Sequence, residues 1–299
     1  MIKVFKFYMM VAFLIFNSAC SDGFDLWTVK VKVVDDAGLP IADAKVLMNF
    51  LLPKGSNNYM EFSDDKGLVQ KTRPGVLRVI FLVTKDGYYD TRHEGIRGNQ
   101  EVKLVLREKK NPIPMYARKT HLHAGNKEAR GLWVAYDLIA GDYLPPWGKG
   151  LNKDFETKYT YEKVDLSNLR YDLSIRFPNV GDGLVEYKSI DYTSKFRSAY
   201  WAPNSGYKNN LEYYRYRSNT GPEEIHDTNF VPSRKYYFRI RTQMDEDGNV
   251  VSALYGKLYS EFPKLHYYLN PNDNDRNVEF DPRQNLFVNL PKKERQFEP

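Results

Sequence analysis

Apolar and polar residues alternate along much of this chain. In LWTVKVKVV, Trp27, Val29, Val31 and Val33 fall on one side of an extended backbone, and Thr28, Lys30 and Lys32 on the other. Side chains of a strand point alternately to its two faces, so this is the period of a half-buried strand. Val46, Met48 and Phe50 repeat it, and Val102, Leu104 and Leu106 repeat it again. GVLRVIFLV is nearly continuous in apolar residues, as expected of a central strand. The joints DDAGLP, SDDKGLV and KDGYY carry aspartate and glycine, which bond their own backbone and accept left-handed geometry. Asp36 and Gly38 suit the first turn, and Pro40 ends the pairing. Asp64, Asp65 and Asp86 therefore read as corner residues, not catalytic ones. Residues 24–108 are predicted to form a small antiparallel sandwich.

REKKNPIP then breaks the pattern with charges and prolines, giving a linker over 109–114. Strand periodicity resumes at Met115. Phe155, Thr157, Tyr159 and Tyr161 oppose Glu156, Lys158 and Thr160, and Leu173, Ile175 and Phe177 oppose Asp172, Ser174 and Arg176. KYYFRIRTQMDEDGNVVSALYGKLY reads as a hairpin turning through Asp247-Gly248-Asn249. A second, larger antiparallel β-sandwich is predicted over 115–299. No long stretch has a 3.6-residue apolar period, so the fold class is all-β. The 23 tyrosines agree, because flat rings pack well across neighbouring strands.

VKVVDDAGLPIADAKV, SDDKGLV and PGVLRVIFLVTKDGYYD, in that order, resemble the carboxypeptidase regulatory-like domain. The resemblance implies a transthyretin-like sandwich that accompanies extracellular proteins as an accessory module. NPIPMYARK, YDLIAGDYLPPWGKG and NPNDNDRNVEFDPRQNLF resemble segments of uncharacterised secreted bacterial proteins, a likeness that implies no activity.

The N-terminus reads as an address. Lys3 and Lys6 precede an uncharged run from Phe7 to Phe16, and small residues lead to Cys20. That run spans roughly 15 Å as helix, half a bilayer core. A basic start, a short apolar run and small residues make a secretion signal over 1–19. Cys20 is the single cysteine, so neither an intramolecular disulfide nor a cysteine-built zinc cluster is available. NSAC resembles a bacterial lipobox, with Asn17 where leucine is usual. The resemblance implies a lipidated Cys20 and a short tether over 20–23; an ordinary cleaved leader and an uncleaved anchor are the alternatives. Ser21 in place of aspartate implies the outer membrane or cell surface.

The formal charge of +6 includes the two leader lysines, and the remaining charges are mixed along the strands. That pattern describes solvated faces and not a nucleic-acid footprint. No G-x-S-x-G, H-E-x-x-H, Walker loop or C-x-x-C occurs, and the GKG at Gly148–Gly150 lacks a third glycine in register. His121 and His123 share one face of an extended segment, two of the ligands a zinc site would need, but read as packing or surface residues. Asp273, Asp275, Asn277 and Glu279 alternate as calcium ligands do. Val278 replaces the required glycine and Gln284 the bidentate glutamate, so a turn with Arg276 paired to a carboxylate is expected. Asp137, Asp142, Asp154 and Asp182 offer material for a glycosidase pair, whose separation sequence cannot measure.

Trp147, Tyr200, Trp201 and Tyr207 lie among Pro, Gly and Asn, in loop contexts. Exposed, they would stack on the apolar faces of sugars; otherwise they plug the ends of the sandwich. No metal and no cofactor are expected. The sequence reads as an exported, lipid-anchored, non-catalytic surface protein for adhesion, scaffolding or ligand binding, with glycan or a surface protein as candidate partner. The alternative is a polysaccharide-acting enzyme or a subunit of one.

Overall fold

The computed structural model describes residues 26–95, 98–122, 127–165, 167–188, 193–221, 223–231, 234–260, 262–296 and 298–299. The leader, Cys20 and His123 lie outside them.

The first alternating segments become β1 (Leu26–Val34), β2 (Lys45–Leu51), β3 (Ser56–Phe62), β4 (Leu68–Pro74), β5 (Arg78–Thr84), β6 (Tyr88–Tyr89), β7 (Thr91–Gly95), β8 (Gln100–Val105) and β9 (Arg107–Glu108). One sheet has the order β4-β1-β8 and the other β3-β2-β5-β7, with β6 and β9 paired separately. Val29, Val31, Val33 and Leu104 of the first sheet pack with Leu106 against Val46, Met48, Phe50 and Phe81 of the second in one buried core. β5 is internal to its sheet, which explains its apolar run. β8 runs parallel to β1, a pairing that alternation alone does not specify.

The turns use their acids selectively. Asp35, not Asp36, caps the first turn by accepting the Ala37 and Leu39 amides. Asp64 does the same for Lys66 and Leu68. Gly67 has φ +73°, and a Cβ there would collide with the Val33 carbonyl, so no other residue fits this turn.

The rest of the chain forms β10 (Ile113–His121), β11 (Val134–Asp137), β12 (Asp142–Tyr143), β13 (Phe155–Lys163), β14 (Leu169–Arg176), β15 (Gly183–Tyr187), β16 (Asn210–Ser218), β17 (Ile225–Thr228), β18 (Lys235–Met244), β19 (Val250–Leu258), β20 (Lys264–Leu269) and β21 (Phe280–Asn285). Two six-stranded sheets result, β15-β18-β19-β20-β10-β21 and β12-β11-β13-β14-β16-β17. Phe155, Tyr159, Leu173, Ile175 and Tyr213 from the second pack on Phe238, Ile240, Leu265, Tyr267 and Leu269 from the first. The all-β class is as the pattern predicts. In the β18–β19 hairpin, Asp245 accepts the Asp247 and Asn249 amides while Gly248 takes φ +80°.

Segment 109–114 is bonded along its length. Lys110 and Asn111 donate their amides to buried Glu279 at 2.9 and 2.7 Å, and Glu279 also accepts the Tyr89 hydroxyl at 2.8 Å. Beside it Arg107, 3% exposed at its side chain, leaves the first sandwich and enters the loop before Tyr200. It donates to the carbonyls of Phe196 and Ser198 at 3.0 and 2.6 Å and pairs with Asp36 at 3.1 Å. Its guanidinium lies over the Phe196 and Tyr200 rings. Lys257, 0% exposed, sits among the rings of Phe196, Tyr259 and Tyr268, with its amine toward the Ser198 and Tyr259 hydroxyls at 3.2 and 3.1 Å. Burial and the nearby Arg107 push that amine well below the usual lysine range.

Candidate functional site

The four loop aromatics do not form one surface. Trp201 is 52% exposed and pairs through its backbone with Asn277. Its neighbour Tyr200 is 7% exposed, with its hydroxyl bonded to the Glu108 carbonyl at 2.6 Å. Tyr200 thus belongs to the contact between the sandwiches and offers no open ring face. Tyr207 is half-buried against Tyr255, lies beneath Arg239, and donates to the Pro203 carbonyl. Trp147 is half-buried in the turn after β12, an edge strand of the other sheet.

The acids are likewise occupied. Asp137 accepts the amides of Ile139, Ala140, Leu151 and Asn152, and Asp154 accepts that of Leu138. Arg241 bridges both carboxylates, at 3.0 Å to Asp137 and 2.7 Å to Asp154. It reaches them because the β18–β19 register shifts after Ile240 and Arg241 takes φ +53°, a bulge held by Asp182 through the Arg241 and Thr242 amides. Burial opposes ionisation of Asp137, but the Ala140, Asn152 and Leu151 amides and Arg241 hold its carboxyl below the usual range. Burial keeps Asp154 above it despite Arg241. Two nearly inaccessible carboxylates clamped by one cation make a structural tie, not a pair facing substrate. Asp142 accepts the Lys149 amide and shapes the same loop.

In the Asn/Asp-rich segment, Asp273 accepts the Ser252 hydroxyl, Asp275 the Asn277 amide and Asn277 the Glu279 amide. Arg276 donates to the Ala202 carbonyl, where a carboxylate partner was expected. His121 is exposed beside the Leu122 carbonyl. No cluster with metal-ligand composition occurs among the described residues.

The feature with the strongest binding chemistry lies at one end of the larger sandwich. On β13, β14 and β16 the inner-face row Tyr159, Leu173 and Tyr213 is buried. Two residues further on, the same face presents Tyr161, Tyr171, Arg215 and Thr228 across four strands. Beyond those come Lys163, Leu169, Arg217 and His226. Parity points all of these inward, yet Lys163, Arg215, Arg217 and His226 are exposed. The sheet overhangs its partner, and the uncovered end forms a cleft of about 670 Å³. Tyr161 and Tyr171 meet edge-on at 6.5 Å, and Tyr171 approaches Phe230 at 6.1 Å. Phe262, Pro263, Lys264 and His266 close the opposite wall. Arg215 lies over Phe230. Burial and the charges of Lys119, Lys264 and Lys235 lower His266 to about 4, so its imidazole is neutral at pH 7.

The alternation places Tyr161 on the inner face. Tyr171, Phe230, Phe262, Arg215 and Lys264 are site residues that the sequence pattern did not single out. The available signal was parity: LEYYRYRS carries Leu211, Tyr213, Arg215 and Arg217 on one face, an inner face that turns from apolar to basic.

No known family profile matches this chain, and no curated protein does. Among solved structures it is similar to a DUF3823 family protein from Parabacteroides merdae, at 10% identity over 86% of this chain and 98% of the other, with a TM-score of 0.23. A protein from Bacteroides uniformis, provisionally described as carbohydrate binding, matches at 8% identity over 83% and 98%, with a TM-score of 0.20. The 3-chlorocatechol 1,2-dioxygenase of Rhodococcus opacus matches at 12% identity with a TM-score of 0.26; the match covers 30% of this chain and 62% of the enzyme. At these scores the likenesses carry no argument about function, which has to come from the chain's own residues.

Proposed function

We propose that this is an exported, non-catalytic binding protein of the cell surface, lipid-anchored through Cys20, that holds a glycan in the cleft of its larger sandwich. The supporting observation is the aromatic row Tyr161–Tyr171–Phe230 bordering an open space of saccharide size. Sugar rings present apolar C–H faces that stack on such rings, while neighbouring polar groups bond the hydroxyls. The smaller sandwich, which resembles a carboxypeptidase regulatory-like module, serves as spacer between anchor and cleft. Trp201 supports a second reading. It alone of the four loop aromatics keeps over half its surface in solvent, with the Lys110 amine 5.8 Å from its ring.

A glycan array followed by calorimetry tests both. Tyr171→Ala should weaken glycan binding about ten-fold, the loss of roughly 1.4 kcal/mol of ring contact. Trp201→Ala should leave it unchanged and barely shift the melting temperature. The reverse order of effects would move the site to Trp201, and a wild-type protein that binds no glycan would end the glycan reading. For the anchor, Cys20→Ala should abolish metabolic fatty-acid labelling and detergent-phase partitioning; labelling that persists would remove the lipid assignment.

A further inference from the structure

We propose that the cleft selects acidic saccharides, those whose rings carry carboxylates, over neutral ones. This deepens the glycan reading above and rests on it. The argument is the sign and placement of charge around the rings. Arg215, Arg217 and Lys163 stand on the uncovered inner face of the overhang, and Lys264 stands on the opposite wall. None of the four carries an ion pair among the described residues, and no described aspartate or glutamate lines the cleft. The acids nearest in the chain stay at the rim of the overhang, where Asp165 interacts with Lys163 and Glu224 with His226. Asp165 accepts the Ser167 and Asn168 amides, and Glu224 meets His226 at 2.7 Å.

The outer face of the same sheet behaves differently. There Arg170 pairs with Asp172 at 2.9 Å, and Arg176 with Glu156 at 2.6 Å. Charges on that face are paired within and between strands, whereas Arg215, Arg217 and Lys264 at the cleft carry no ion pair among the described residues. Like charges gathered at an aromatic cleft repel each other unless an anion joins them, so the arrangement favours a ligand that supplies one. Arg215 is well placed to receive it. Its guanidinium already lies over Phe230, and its fork matches a carboxylate in two parallel hydrogen bonds. A uronate unit would stack its C–H face on Tyr171 and place its carboxylate between Arg215 and Lys264.

The test compares an oligogalacturonate with its methyl ester, the same sugar without the charge, using the full-length protein and calorimetry. The acid should bind at least about ten-fold more tightly than the ester, and added salt should narrow the gap. Arg215→Gln/Arg217→Gln should lower affinity for the acid about ten-fold and narrow the gap between acid and ester. Lys54→Ser/Lys66→Ser, which removes two exposed charges from the smaller sandwich, should change neither. Equal loss in this control would mean general charge attraction and overturn the proposal. Equal binding of acid and ester, still sensitive to Tyr171→Ala, would overturn acid selection and leave the glycan reading standing. Equal retention of polyglutamate would assign the cleft to acidic chains at large and overturn the saccharide specificity. Failure of every glycan, acidic or neutral, would remove both readings.

Discussion

Replacing Arg241 by alanine should destabilise the protein by about 3–5 kcal/mol, because it strands two buried carboxylates. The lower end is expected, since 28% of the Arg241 side chain meets water while Asp137 and Asp154 are at 3% and 0%. Asp154 decides the pH dependence. Its carboxyl already sits above the usual range through burial, and without Arg241 it rises further. A carboxyl whose folded pKa exceeds its unfolded one costs stability at higher pH, and the cost fades as pH falls through the folded pKa. The deficit of Arg241→Ala should therefore be largest at neutral pH and shrink as pH falls through the raised Asp154 pKa. Asp137 acts in the opposite sense in the native protein, contributing stability that is lost as pH falls through its lowered pKa. Removing the whole set, as Asp137→Asn/Asp154→Asn/Arg241→Met, should recover much of the loss, because no unpaired charge remains. Urea titrations at several pH values read all of this. A deficit below about 1 kcal/mol, flat with pH, would mean the tie behaves as an exposed ion pair.

Arg107→Ala should separate the melting of the two sandwiches. The substitution leaves the Phe196 and Ser198 carbonyls without their donor, frees Asp36, and leaves a gap over the adjoining Phe196 and Tyr200 rings. Hydrogen bonds to a charged donor are worth about 1.5–3 kcal/mol each, and loss of the shared donor should cost about 3–4 kcal/mol at the junction. Scanning calorimetry should show a broadened or split transition in place of a single one. Hydrogen exchange should quicken around 194–200 before it quickens in either core. Lysine at this position keeps the charge but not the fork, so Arg107→Lys should recover only part of the effect. An unshifted single transition for Arg107→Ala would mean that the remaining contacts suffice to couple the sandwiches.

The strands were legible because burial on one face imposes a two-residue period that composition cannot hide. Val29, Val31 and Val33, or Leu173 and Ile175, declare their side without knowledge of the partner strand. The turns were legible in kind but not in detail, since Asp35 and Asp36 are adjacent and only the fold decides which one caps. Asp36 is drawn off by Arg107, seventy-one positions away. The loop aromatics show the same limit. Composition correctly placed Tyr200 and Trp201 outside regular strands, but one ring turns into the junction and the other toward solvent. The cleft was the least legible feature. Its residues obey the parity of core residues, and only the place where the facing sheet stops converts an inner face into an open one. Arg241 was hidden by its bulge, because a shift in register removes it from the face that its spacing from Arg239 assigns.

Lys257 gives the junction a chemical clock. An amine attacks an acylating reagent only in its neutral form and only on contact. The Lys257 amine is held toward the neutral form by burial and by Arg107, but Phe196, Tyr259 and Tyr268 deny contact. Its modification must wait for those rings to part, so the acylation rate at this position measures how often the seam between the sandwiches breathes. Exposed Lys292 reacts without waiting and supplies the reference in the same sample. The ratio of the two peptides by mass spectrometry reads out that opening, with no label introduced by mutation.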